Sequence, residues 1–466
     1  MTDNYQPFWF DQALQRERPA APVPLTQDLD VDICIVGGGF TGLWSAIKLR
    51  QACPHSRILL IEADRCGSGA SGRNGGCMLT WSTKYPTLRR LFGDTEARRL
   101  VQASEQAVWD IADFCDRHEI DCELRPGGTL YTATSEAQRG SMTPLVAELE
   151  RLGLNSWRSL TPAEVQRRAG SAAHLEGYFS PAAGSLQPGL LVRGLKAVAE
   201  SLGVEIHERT PMDRLIEGEP AEILTPRARI RARQVVLATN AWMARQFREF
   251  ANSITLVSSD MLITHPVPEL LAESDLGNGC AVVDSRTFVH YYRSTPDGRL
   301  MLGKGGNLFA FGNRVLPAFD EPSRYQPMLR NALHRFFPTL DSDAIERTWT
   351  GPSDRSVTGL PFFGHLRGRR NIVYGFGYSG NGVVQTWLGG EIIRSLLLGN
   401  DDVWSRSGLA QGPRGYFPPE PLRWIGAMTV RQAIRRKEAA EDANRRPGRL
   451  DCRLARLAAA AGKADK

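Results

Sequence analysis

The chain has 466 residues, 42% hydrophobic and 23% charged, a globular balance that excludes collagenous, fibrous and wholly disordered proteins. Its length exceeds one ordinary core and predicts two domains or one large composite. The formal net charge of +6 resides in residues 431–466, where 11 Lys+Arg face 5 Asp+Glu, so the first 430 residues are neutral and no nucleic-acid partner is expected for the body.

No apolar run approaches the roughly 20 residues of a membrane span, and residues 1–10 lack the basic start and apolar stretch of a secretory signal. The eight cysteines form no CxxC pair, against a zinc ribbon or a disulfide framework. His118, His207 and His265 have no partner at metal-ligand spacing, so no metal is expected. A cytoplasmic location is the expectation.

Val31-Asp32-Ile33-Cys34-Ile35-Val36 reads as a buried parallel strand. Gly37-Gly38-Gly39-Phe40-Thr41-Gly42 follows, fitting GxGxxG with Gly37, Gly39 and Gly42 in the pattern positions. Leu43, Ala46, Ile47 and Leu49 then recur at helical spacing. Such a strand–turn–helix aims backbone N–H groups at a pyrophosphate, and a β-carbon would block the turn. A second strand, Ile58 to Ile61, ends in Glu62, twenty residues after Gly42, where a carboxylate can accept ribose hydroxyls. The sum is a dinucleotide site.

Next comes a loop of small residues, Asp64 to Gly76, where a nicotinamide-binding domain would continue into a helix. Leu100, Ala103, Ala107, Val108, Ile111 and Phe114 mark an amphipathic helix. Phe288 to Arg293 and Leu300 to Gly303, joined by Ser294-Thr295-Pro296-Asp297-Gly298, read as a hairpin. Tyr291 and Tyr292 therefore point to opposite faces, and His290 shares the Tyr292 side. Beyond Arg431, acids interleave with bases, which reads as an exposed C-terminal helix.

The loop Gly69-Ala70-Ser71-Gly72-Arg73-Asn74-Gly75-Gly76 resembles that of the D-amino-acid-oxidase-like flavoproteins. Three further segments are similar to motifs of that superfamily: Gly203 to Met212, Val235-Val236-Leu237-Ala238-Thr239-Asn240-Ala241-Trp242, and Gly375-Phe376-Gly377-Tyr378-Ser379-Gly380-Asn381-Gly382-Val383. Within it, Gly39 to Trp44, Gly75 to Lys84 and Ser180 to Leu191 resemble the γ-glutamylputrescine-oxidase-like branch, and most of all its aminophosphonate oxidoreductases.

The resemblance implies an α/β + α+β flavoprotein of two domains, a Rossmann-like FAD-binding domain and a mixed-sheet substrate domain. The first would comprise 30–85, 186–245 and 346–400, the second 86–185 and 246–345, with 401–466 a C-terminal extension carrying the basic tail. Implied FAD contacts are Gly37, Gly39, Phe40, Thr41, Gly42, Glu62, Ala63, Ser71, Arg73, Asn74, Gly75, Gly76 and Met78. Met212, Ala238, Asn240, Trp242, Gly380, Asn381, Gly382 and Val383 complete them.

The implied reaction moves a hydride from the carbon beside an amine nitrogen to FAD, with O2 as acceptor and a small-molecule amine as substrate. Candidate catalytic residues are Lys304, Tyr292, Arg355, Lys84 and Trp81. Two departures from relatives matter. The carboxylate-holding arginine of glycine-oxidase-like proteins is Ser353 here, and the corresponding lysine of sarcosine oxidases is Val384. Residues 350–356 also lack the cysteine that tethers flavin in sarcosine oxidases, so FAD should be non-covalent. Of 7 lysines, only Lys48, Lys84, Lys196 and Lys304 precede the tail; Lys48 and Lys196 fall in predicted helices and read as solvated.

Overall fold

The computed structural model describes residues 5–461 and 464–465. Leu29–Val36 is the expected strand, flanked in parallel register by Ile58–Ile61 and Arg229–Leu237. The sheet extends in spatial order as Phe362–His365, Ile372–Phe376, Arg229–Leu237, Leu29–Val36, Ile58–Ile61 and Glu205–His207. A parallel centre needs both faces covered. Helices Phe40–Ala52, Pro188–Ser201 and Gly382–Leu398 pack on one face, and Met243, Phe247 and Phe250 on the other. This arrangement leaves the carboxyl ends of the strands open as a crevice, where doubly wound sheets take ligands.

A second sheet runs Ile345–Ser356, Ile254–Thr264, Leu300–Phe309, His290–Ser294, Ala281–Asp284, Thr129–Ala133, Glu176–Ser180 and Arg158–Leu160. It is antiparallel except where Ala281–Asp284 meets Thr129–Ala133. One face carries an apolar cluster with Val165, Ala169, Leu329, Leu333 and Phe336 from helices Pro162–Ala169 and Gln326–Phe336; the other faces the crevice. The predicted hairpin forms, with Tyr291 opposite Gly303 and Tyr292 opposite Leu302. Helix Asp94–Arg117 buries Leu100, Ala107, Val108, Ile111 and Phe114. The result is the two-part α/β and mixed-sheet architecture expected.

Three details differ from the sequence reading. Ile345–Ser356, expected with the nucleotide-binding part, ladders along Ile254–Thr264 in the second sheet. A bridge from Arg355 to Tyr378 then returns its end to the closing motif, so one strand serves both sheets. Lys48 is buried, its Nζ 2.7 Å from Glu391 Oε1 and over the Trp387 ring.

The third difference is the tail. Helix Leu422–Asp442 buries Arg431, Ile434, Glu438 and Glu441. Glu438 Oε1 accepts from the Thr287 and Phe288 N–H groups, and Asp442 pairs with Arg286 and Arg335. Two of its interleaved acids thus answer the Thr287–Phe288 backbone and the Arg286 and Arg335 guanidinium groups beside the second sheet. No described helix is long and apolar enough to cross a membrane.

Candidate active site

The site begins at the turn after the first strand. The backbone passes Gly37 at φ +111°, and the helix starts at Phe40 with Gly39 as an N-cap that provides no side-chain acceptor. First-turn N–H groups therefore face the crevice without a capping side chain, although the Phe40 N–H donates to Ser71 Oγ at 2.9 Å. A β-carbon on Gly42 would lie 1.9 Å from Gly37 O. Only glycine lets the helix sit that close to the turn.

Glu62 ends the second strand. Its Oε2 accepts from the Gly38 N–H at 2.7 Å and its Oε1 from the Asp64 N–H at 3.0 Å. Burial raises its carboxyl, and these two donors oppose the rise. The following loop is held by its own side chains. Asn74 Nδ2 donates to Ser71 O at 2.8 Å while Asn74 Oδ1 accepts from the Gly76 N–H at 2.8 Å. Arg73 donates to Ser68 O and pairs with Asp320, both at 2.7 Å.

Between the sheets lies a cavity of about 530 Å³. Seventeen of the expected FAD contacts line it: Gly37, Gly39, Phe40, Thr41, Glu62, Ala63, Ser71, Arg73, Asn74, Gly75, Met212, Ala238, Asn240, Trp242, Gly380, Gly382 and Val383. Gly42, Gly76, Met78 and Asn381 are not among its lining residues. Gly42 shapes the wall from behind. Gly76, at φ +70°, is where a β-carbon would meet Leu186 O at 1.9 Å, and Met78 is buried against Gly184. A glycine cradle, an uncapped helix start and a fixed carboxylate are the donors and acceptors that a dinucleotide requires. The residues fit FAD.

The far part of the cavity is walled by Ser259, Met261, Val283, Val289, Tyr291, Gly305, residues 351–355 and Tyr378. Tyr291 Oη and Ser259 Oγ lie 3.0 Å apart, and burial pushes the phenol above its usual range. Arg355 NH1 donates to Ser379 O at 2.6 Å, and burial lowers its pKa, an effect that Asp354 opposes. Asp354 accepts from the Gly377 N–H through Oδ2 and from the Ser379 N–H through its carbonyl, with the Asn240 amide against its carboxyl group. Burial raises that carboxyl to about 7. Thr41 Oγ1 donates to Tyr378 Oη at 3.0 Å, tying helix Phe40–Ala52 to the closing motif.

Of the five candidate catalytic residues, Arg355 alone lines the cavity. Tyr292 points away: its Oη donates to Ala169 O at 2.8 Å and lies 2.6 Å from His174 Nε2. Tyr291 is the cavity tyrosine, a lining residue whose ring packs over Gly303. Lys304 alternates to the Tyr292 side, and its Nζ donates to Phe288 O at 3.0 Å and His290 Nε2 at 3.1 Å. His290 belongs to that outer cluster with Asp284. Trp81 is buried, its backbone N–H donating to Ser104 Oγ at 2.9 Å. Lys84 is buried, with Nζ 3.1 Å from Asp465 Oδ1. Sequence reasoning passed over Asp354, Ser259 and Met261; parity with Tyr291 across the sheet was the available signal for the last two.

The sequence pattern of the family described as FAD dependent oxidoreductase matches residues 32–396. Gamma-glutamylputrescine oxidoreductase of Escherichia coli is 30% identical over 378 residues, 81% of this chain and 85% of that protein. Probable oxidoreductase OrdL of Haemophilus influenzae is 28% identical over 386 residues, 81% and 85% of the two chains. Among solved structures, glycine oxidase from Geobacillus kaustophilus superposes with a TM-score of 0.68 at 19% identity, covering 83% of this chain and 99% of that one. With its glycine cradle, turn-clamping Glu62 and closing motif around one cavity, the chain belongs to the FAD dependent oxidoreductase family and uses FAD as cofactor.

Proposed function

We propose that the protein oxidises an amine bearing a remote anionic group, with an aminoalkylphosphonate such as 2-aminoethylphosphonate or its N-alkyl form as the favoured substrate. The observation that carries this reading is the Arg355 guanidinium on the cavity wall, two positions from Ser353, which stands where relatives hold a carboxylate with arginine. Bound FAD supplies the hydride acceptor. The chain's own part is to orient the amine and exclude water. The apolar walls at Met261, Val283 and Val289 keep bulk water from the C–H bond, and the Tyr291–Ser259 hydroxyl pair offers a fixed polar contact. Arg355 holds the anion at a distance from the nitrogen. The imine product hydrolyses to phosphonoacetaldehyde and ammonia or a smaller amine, and O2 accepts the electrons to give hydrogen peroxide.

A second reading, γ-glutamylputrescine as substrate, is favoured by the 30% identical relative of that name; it too carries a remote anion. Rates of anaerobic flavin reduction by the two compounds decide between them. An advantage of tenfold or more for γ-glutamylputrescine, about 1.4 kcal/mol at the transition state, overturns the phosphonate reading. An oxygen electrode tests the acceptor: no oxygen uptake with a reducing amine present points to a dehydrogenase.

A further inference from the structure

Two side chains of the second sheet grip the small-residue loop after Glu62, each by a backbone carbonyl. Trp349 Nε1 donates to Arg73 O at 2.8 Å. Arg293 Nε donates to Gly75 O at 2.7 Å. The same guanidinium gives NH2 to Leu186 O at 2.8 Å and NH1 to Ser294 O at 3.1 Å. One side chain thereby joins the loop, the segment entering helix Pro188–Ser201 and its own strand. Trp9 lies between the two grips, its ring 4.7 Å from the Arg293 guanidinium and edge-on to Trp349.

Arg293 is only 1% exposed, and a buried guanidinium is costly unless its donors are answered. Here carbonyls answer it, and among the described residues it pairs with no carboxylate. The loop is shaped to admit it. A β-carbon on Gly76 would lie 2.8 Å from Arg293 NH2, and one on Gly75 would lie 2.5 Å from the Tyr291 ring. Tyr291 and Arg293, two apart on one strand, share its inward face. The first lines the cavity, and the second holds the lining residue Gly75 from behind. The peptide between Gly75 and Gly76 is fixed at both ends, its carbonyl by Arg293 and its N–H by Asn74 Oδ1 at 2.8 Å. The preceding N–H, that of Gly75, is buried on the cavity wall with no acceptor among the described residues. A buried N–H needs a partner, and FAD is the group this cavity takes.

We propose that Arg293 is a positioning residue for flavin reduction: by holding the Gly75 carbonyl it fixes the loop so that the Gly75 N–H donates to bound FAD and the flavin keeps a set distance from the Tyr291 face. This role requires FAD in the cavity and no particular amine. A displacement of about 1 Å between reacting groups can cost roughly a hundredfold in rate, so a loop tied to the substrate sheet serves the transfer directly. Lysine would keep the charge of Arg293 but offer a point donor in place of the planar fork.

The test is the reduction potential of bound FAD, measured against reference dyes in FAD-loaded wild type, Arg293→Lys and Tyr292→Phe, which needs no substrate. Arg293→Lys should shift the two-electron equilibrium about tenfold or more, about 30 mV. Tyr292→Phe, which disturbs the opposite face of the same strand, should leave it unchanged. With an amine that reduces the wild-type flavin, Arg293→Lys should lower the limiting rate about tenfold or more and leave the half-saturating concentration nearly unchanged. In wild type, removing FAD should speed amide exchange at Gly75 while Gly76 stays slow, a comparison that decides the matter if the variant does not fold. An unchanged potential in FAD-loaded Arg293→Lys, or equal exchange at Gly75 with and without FAD, overturns the proposal and makes Arg293 a structural tie. If no amine reduces the flavin yet the potential and the exchange change as stated, the substrate reading fails and the positioning role stands.

Discussion

Replacing Glu62 by alanine removes three kinds of interaction at once. Two are within the protein, the Gly38 and Asp64 N–H groups at 2.7 and 3.0 Å. The third is the charged hydrogen bond we propose it makes to the adenosine ribose of bound FAD. A charged hydrogen bond contributes about 1.5–3 kcal/mol, so the FAD dissociation constant should rise roughly 10- to 150-fold. The two orphaned N–H groups add a separate cost to the apoprotein, because the turn loses its clamp. Glu62→Gln separates the effects: one amide oxygen can still accept from the turn, but the ribose loses its carboxylate. Equilibrium dialysis of deflavinated protein against FAD measures the first effect, and thermal unfolding of the apoprotein measures the second. Unchanged FAD affinity in Glu62→Ala, with only the apoprotein destabilised, would show that Glu62 is a turn clamp and no part of the cofactor site.

Gly42→Ala should give colourless or insoluble protein, since its β-carbon would be 1.9 Å from Gly37 O; a normal flavin-to-protein ratio would contradict the cradle. Tyr291→Phe should slow flavin reduction with little loss of stability. Tyr292→Phe should do the opposite, costing about 1–3 kcal/mol because Ala169 O and His174 lose a buried partner; chemical denaturation and rapid-mixing kinetics read the two apart. Burial places the Asp354 carboxyl at about 7, above its value in an unfolded chain. Its contribution to stability is therefore full below the ordinary carboxylate range and is lost as pH rises through about 7. Thermal unfolding of the apoprotein from pH 5 to 8 should show that loss in wild type and a flatter profile in Asp354→Asn; identical profiles would remove Asp354 as the cause.

The nucleotide half of the site was legible because it is written in backbone requirements. Gly37 and Gly42 leave no room for a β-carbon, and Glu62 follows at the strand end, all within a short stretch of chain. The substrate half depends on which face of a sheet looks inward. Both Tyr291 and Tyr292 lie in well-packed surroundings, so alternation separates them without saying which meets the cavity. Lys304 fell on the outer face for the same reason: Gly303 and Gly305 are the inward positions. The pairing that buries Lys84 was hidden in another way, since its partner Asp465 lies 381 residues on. The tail's mixed charges suggested solvent exposure, whereas Asp442 answers Arg286 and Arg335 and Glu438 is buried on the Thr287–Phe288 backbone.

The central claim is that an amine with a remote anion reduces FAD in this cavity with Arg355 as its anchor. It is tested most directly by anaerobic flavin reduction in wild type and Arg355→Ala, using 2-aminoethylphosphonate and an uncharged amine of similar size. The account predicts that the phosphonate reduces the wild-type flavin faster and loses at least about tenfold in Arg355→Ala, a difference of about 1.4 kcal/mol, while the uncharged amine changes little. Equal losses for both amines, or no reduction by any amine with the flavin bound, would contradict it.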